Sequence, residues 1–141
     1  MNSSNIPYEA NEFTGKRVLV TGGSKGIGGA IAERFQRAGA TVIITARSAP
    51  TERTNNHFIQ TDASTAEGTT KVINEILNRF QGIDILVHNV GGTSAPCGGF
   101  ITVTDEIWQQ ALNENLFPAV RLDRGLLPSM TKATTPRPGR S

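Results

Sequence analysis

A doubly wound parallel α/β sheet is the fold class that these 141 residues predict. Three observations carry it. Short, continuously apolar runs, as in strands buried on both faces, alternate with stretches of helical periodicity. A glycine-rich loop, Thr21-Gly-Gly-Ser-Lys-Gly-Ile-Gly28, joins the first such run to the first helix. Glycines or capping residues fall where those helices should begin and end.

The elements follow in order. Arg17-Val-Leu-Val20 reads as the first strand. Gly22 can take the tight turn at its end, Gly26 lets the backbone approach a phosphate, and Gly28 removes a side chain where the next helix packs. That helix is expected over residues 27–38, with Ile27, Ile31 and Phe35 on its core face and its positive end aimed at an anion. Strand, loop and helix in this order build a dinucleotide pyrophosphate site. Gly39 ends the helix and Thr41-Val-Ile-Ile-Thr45 is the second strand.

A polar loop over residues 47–56, holding Pro50, leads to a short third strand at Phe58-Ile59 that ends near Asp62. Ser64-Thr-Ala-Glu67 reads as a capping box opening a helix with Val72, Ile73, Ile76, Leu77 and Phe80 on one face. Gly82 closes it, and Ile83-Asp-Ile-Leu-Val-His88 is the fourth strand. A glycine-rich loop, residues 89–99, precedes a long helix over about residues 104–129, capped by Thr104. Pro118 should kink that helix, at a cost of roughly 3 kcal/mol if nothing compensates. Its apolar face, Trp108 included, is wide enough to be expected in the core.

Composition narrows the function classes. No stretch approaches the roughly 20 apolar residues of a membrane span. The polar N-terminus lacks the layout of a signal peptide, so a cytoplasmic setting is expected. One cysteine, Cys97, excludes an intrachain disulfide and a cysteine-built zinc site, and no metal site is expected. The net charge of +2 comes from the last eleven residues, where Lys132, Arg137 and Arg140 stand without an acid. Without those three, 11 basic residues face 12 acidic ones, which gives no basic face for nucleic acid.

On these motifs the chain resembles the short-chain dehydrogenase/reductase family over residues 14–130. Thr21-Gly-Gly-Ser-Lys-Gly-Ile-Gly28 matches its Thr-Gly-x-x-x-Gly-x-Gly signature. Asp62 matches its adenine-contacting aspartate, and His88-Asn-Val-Gly91 its Asn-Asn-Ala-Gly segment, with histidine in the first place. Asn115 matches the asparagine of its catalytic tetrad, on a helix whose kink Pro118 would supply. The resemblance implies a Rossmann-like sheet, hydride transfer between a carbonyl or alcohol and a nicotinamide cofactor, and dimerisation through the last helix. The cofactor-binding residues expected are Thr21, Gly22, Ser24, Lys25, Gly26, Ile27, Gly28, Arg47, Asp62, Asn89 and Gly91, with Asn115 catalytic.

Charge speaks to the choice of cofactor. An NAD site places a carboxylate after the second strand; here Thr45-Ala46-Arg47 has none. Arg47 can grip a ribose 2′-phosphate and Lys25 adds a second positive charge, so NADP is expected over NAD. His57 is expected to be a strand-edge polar residue, His88 to bond locally, and Cys97 to be inert.

The family's catalytic serine and Tyr-x-x-x-Lys have no counterpart. The single tyrosine, Tyr8, precedes the first strand, with Glu12 four residues on. Residues 131–141 hold two prolines and almost nothing apolar, as in a disordered tail, and residues 1–13 form an N-terminal arm. In the family's strand order, 3-2-1-4-5-6-7, the sheet would be truncated after the fourth strand and its following helix, as premature termination or a shifted reading frame would leave it. Three functions stand open. They are an NADP(H)-dependent oxidoreductase represented by its N-terminal part, an inactive nucleotide-binding fragment, and an interaction protein pairing through its last helix. An exposed fourth strand and that helix would then drive homo-oligomer formation or aggregation.

Overall fold

Val18, Leu19 and Val20 are all fully buried, which a strand achieves only when both faces of its sheet are covered. The computed structural model, which describes residues 9–93 and 95–132, provides both covers. Strand β1 (Arg17–Thr21) pairs in parallel with β2 (Thr41–Ala46) on one side and β4 (Ile85–Val87) on the other, and β3 (His57–Gln60) pairs with β2. The order is β3-β2-β1-β4. On one face Val18, Val20, Val42 and Ile44 pack with Ala32, Ile31 and Phe35 of helix α1 (Gly26–Arg37). On the other, Leu19, Ile43 and Ile59 meet Val72 and Ile76 of α2 (Ala66–Phe80) and Leu122 and Leu126 of α4 (Phe117–Lys132). The result is the α/β, Rossmann-like, doubly wound parallel arrangement expected.

Several elements differ from their sequence reading. The core stripe of α1 starts at Gly28 and Ala32, so Ile27 is turned out and 76% exposed. Helix α2 is capped by Thr65, whose hydroxyl accepts from the Gly68 amide at 3.0 Å. Ser64 instead bonds the Asp62 carboxylate through both its amide and its hydroxyl. At the C-terminus of α2 it is Gln81, ahead of Gly82, that takes the left-handed conformation, with φ 60°. Leu77 lies at the rim of the core rather than inside it.

Strand β4 is three residues long, shorter than the six expected. Its N-terminal end is replaced by an ion pair, in which Asp84 accepts from the Arg17 backbone amide at 2.8 Å and from two guanidinium nitrogens at 2.9 and 3.0 Å. A third guanidinium bond reaches the Phe80 carbonyl, tying β1 to the end of α2.

The long last helix is two helices, α3 (Asp105–Asn115) and α4, meeting at Leu116. The break precedes Pro118 because α4 restarts at Phe117, leaving the proline in a first turn where its missing N–H has no intrahelical acceptor to lose. Pro128 sits farther along α4, which continues to Lys132. The two residues Thr131 and Lys132 are therefore helical, and the remainder of the expected tail lies outside the described residues. Trp108 is half exposed rather than in the core, and so is Leu116 at the junction of the two helices. The N-terminal arm is described from residue 9. Its Phe13 amide bonds the Ala38 carbonyl at 2.9 Å, and its ring packs against Phe35.

Candidate functional site

The carboxyl ends of β1 and β4 carry the loops that the sequence singled out. Here the chain crosses from one side of β1 to the other, which is where parallel α/β sheets open a crevice. Gly22 turns the chain out of β1 with φ +64°, a conformation that side chains disfavour. A β-carbon on Gly28 would overlap the Gly22 carbonyl oxygen and the Asn89 side-chain amide. The glycine therefore lets α1 close onto the turn itself, one step nearer the loop than the expected strand contact. Gly23, which the sequence reading passed over, is needed as well, since its β-carbon would lie 2.6 Å from Ile44. The doubled glycine was the available signal.

Thr21 is buried, and its hydroxyl binds the two strand ends together. It donates to the Val87 carbonyl and accepts from the Asn89 and Val90 amides at 2.9 and 3.2 Å. Asn89 returns a bond from Nδ2 to the Gly22 carbonyl at 3.1 Å. Thr21, Gly22 and Asn89 thus form one hydrogen-bonded cluster, against which Gly28 packs. Asn115, at the end of α3, extends it: Oδ1 accepts from the Gly92 amide at 3.0 Å, and Nδ2 donates to the Gly92 and Ala111 carbonyls. A β-carbon on Gly91 would come within 2.9 Å of that Oδ1. The loop after β4 is pinned to α3 by this one side chain.

The outer part of the glycine loop faces a groove of about 610 Å³. It is lined by Gly23, Ser24, Lys25 and Gly26, by Glu33 and Gln36 of α1, by Ile44 of β2 and by the Pro50–Asn56 run. Lys25 precedes α1 without a side-chain cap, and no acid stands in the first turn. Gly26 has φ +59°, and a β-carbon there would meet nothing within 4 Å. An uncapped helix N-terminus approached over an open glycine backbone fits the pyrophosphate of a dinucleotide. Ile27 lies exposed beside it.

Arg47 and Asp62 stand at the ends of β2 and β3. The Asp62 carboxyl is held below the usual carboxylate range, chiefly by the Ser64 hydroxyl at 2.7 Å and then by its amide, with the Arg47 charge contributing. Arg47 does not line the groove. His88 bonds across to α4 rather than locally, with Nε2 2.7 Å from Asp123 Oδ1. His57 opens the edge strand β3 against the Phe80 ring, and Cys97 is exposed. No group of three potential metal ligands occurs among the described residues. A smaller cavity of about 230 Å³ lies between α2 and α4, lined in part by Thr69, Ile73, Arg121 and Gly125. It is on the far face of the sheet from α1.

Comparison with known proteins agrees with this geometry. Residues 16–137 match the short chain dehydrogenase family. The 3-oxoacyl-(acyl-carrier-protein) reductase FabG of Vibrio harveyi is 37% identical over 128 residues, which cover 84% of this chain and 50% of that protein. Among solved structures, L-sorbose reductase from Gluconobacter frateurii, complexed with NADPH and L-sorbose, is 33% identical with a TM-score of 0.77. The match covers 89% of this chain and 51% of that one. An NADH-dependent reductase complexed with NAD shares the fold at TM-score 0.80 and 22% identity, over 89% and 56% of the two chains. The chain spans about half the length of the curated relatives it matches. It belongs to the short-chain dehydrogenase/reductase family.

Proposed function

We propose that this short-chain dehydrogenase/reductase chain supplies the dinucleotide-holding half of an NADP(H)-dependent oxidoreductase acting on a carbonyl or alcohol. The observation that carries this reading is the left-handed Gly22 and Gly26 pair before the uncapped N-terminus of α1. In it, residues 14–130 are the cofactor-binding domain and residues 1–13 and 131–141 are appendages, in a cytoplasmic setting. The nicotinamide, when bound, supplies or accepts the hydride. The chain's own residues do the rest: Ser24, Lys25, Gly26 and the α1 amides hold the pyrophosphate, Asp62 meets the adenine, and Asn89 and Gly91 shape the inner end. Asn115 fixes the loop that borders that end. The end of β2 has basic residues nearby and no carboxylate at Thr45-Ala46-Arg47, which favours the 2′-phosphorylated cofactor.

No Tyr-x-x-x-Lys occurs among the 141 residues. Positioned proton transfer is worth about 10²–10⁴ in rate, so the chain by itself is expected to bind without turning over. Titration with NADP+ and NAD+, followed by turnover assays on the same sample, tests both parts. Absence of saturable dinucleotide binding overturns the first, and catalysis by the purified chain overturns the second. A second reading, pairing through the last helices, is favoured by Trp108, Leu112, Leu116, Val120 and Leu127, all exposed on α3 and α4 and their junction.

A further inference from the structure

The cavity of about 230 Å³ between α2 and α4 shares no lining residue with the groove beside the glycine loop. Ala66, Thr70 and Ile73 of α2 line it, and so do Arg121, Arg124 and Gly125 of α4. Gly125 brings the two helices together, since a β-carbon there would lie 2.4 Å from Ile73 Cδ1. Arg121 and Arg124, three positions apart, are neighbours on the α4 surface. The guanidinium of Arg121 is partly buried and fixed in place. Its Nη1 donates to the Ser64 carbonyl at 3.4 Å, and its central carbon lies 5.3 Å from the Phe117 ring centroid. Neither contact brings a negative charge.

Neither arginine has an ion-pair partner among the described residues. The acids nearby are spent or lie elsewhere. Asp123, the one acid of α4, bonds His88, and Asp62 bonds Ser64. Glu67 stands in the first turn of α2 but does not line the cavity. A guanidinium drawn partly out of water without a counter-charge is costly, and a bound anion offsets that cost. We propose that this cavity is a phosphate site, which takes a phosphate dianion either free or as the ester end of a small metabolite. Two planar guanidinium forks suit an oxyanion, and the Thr70 hydroxyl on the facing helix adds a donor. The volume lies below the roughly 300–1,000 Å³ of sites that enclose drug-sized ligands, so the occupant is smaller than a nucleotide.

Amide NMR titration of the full chain with inorganic phosphate and with glycerol 3-phosphate, at constant ionic strength, locates and ranks the binding. Saturable shifts at Thr70, Arg121 and Gly125 are expected, with and without saturating NADP+. Arg124→Ala should weaken binding by about fivefold, the scale of a screened contact at an exposed arginine. Arg124→Lys should restore part of that loss. Arg124 is exposed, so both variants should melt with the parent. Tighter binding of the ester assigns the site to a phosphorylated metabolite, and ester binding no tighter than phosphate assigns it to free phosphate. Shifts confined to Ser24, Lys25 and Gly26 and abolished by NADP+ overturn the site while leaving the dinucleotide reading intact. The absence of saturable shifts overturns it too, as does an affinity unchanged by Arg124→Ala and by Arg121→Ala alike.

Discussion

A β-carbon at Gly28 has no room to relax, because what it would overlap is backbone: the Gly22 carbonyl lies on the tight turn that leaves β1. Gly28→Ala must therefore push α1 away from the turn. The expected cost is about 1–3 kcal/mol, typical of overpacking, together with loss of dinucleotide binding. Gly26→Ala, where a β-carbon meets open space but φ is +59°, should strain the backbone without displacing the helix. Chemical denaturation and dinucleotide titration of the two variants test the difference, and equal stability losses would contradict it. Asp84 gives a second residue-scale prediction. Its carboxyl is held below the usual range by the Arg17 guanidinium, against the opposing effect of burial. A depressed folded-state pKa contributes stability that is complete above the unfolded value of about 4 and is lost as pH falls through the folded value. Asp84→Asn should cost about 1.5–3 kcal/mol at neutral pH, as a bond to a charged group, and less below pH about 4. Urea midpoints measured from pH 2 to 7 check this, and a constant difference across that range would sink it.

At the scale of elements, the start of α2 separates two neighbouring hydroxyls by role. Thr65 accepts from the Gly68 amide and caps the helix, whereas Ser64 bonds Asp62 at the end of the preceding loop. Thr65→Ala should cost about 1 kcal/mol of stability at any pH, whereas Ser64→Ala should raise the Asp62 pKa and lose stability only above the carboxylate range, the difference vanishing in acid. A carboxyl titration by NMR, set beside thermal melts, distinguishes the two. The sequence pattern S-T-A-E could not separate them, because both residues can cap and the choice follows from where β3 releases the chain. The alternating strands and the glycine loop were readable because burial on both faces and left-handed turns restrict composition strongly. Ile27 was not: Ile31 and Phe35 on the same spacing do reach the core, but Ile27 lies in the first turn, where it is Gly28 that makes the close approach to Gly22. The break at Leu116 was legible only as a kink. Pro118 marked the place, and Asn115 bonding to Gly92 fixes the end of α3 before the proline is reached.

For the molecule as a whole, the unbalanced feature is apolar surface on one side. Trp108, Leu112, Leu116 and Val120 recur every four residues through α3 into α4, all exposed, with Phe100 against the Trp108 ring. A contiguous stripe of this length differs from scattered surface leucines, which need no explanation. β4 has one strand neighbour, β1, among the described residues, and its three residues are only partly buried. We predict that the chain self-associates through the stripe, with the β4 edge contributing less. A three-residue strand offers few ladder bonds, whereas a stable interface needs on the order of 800 Å² per partner. Sedimentation velocity across micromolar concentrations should show mass above the monomer. Trp108→Glu with Leu116→Lys should return it to the monomer, and both sites are exposed enough for the fold to tolerate charge. If the double variant still associates while a proline placed at Leu86 abolishes association without unfolding the chain, the strand edge is the interface. A parent chain that stays monomeric at every concentration would show that the stripe is covered by neither route.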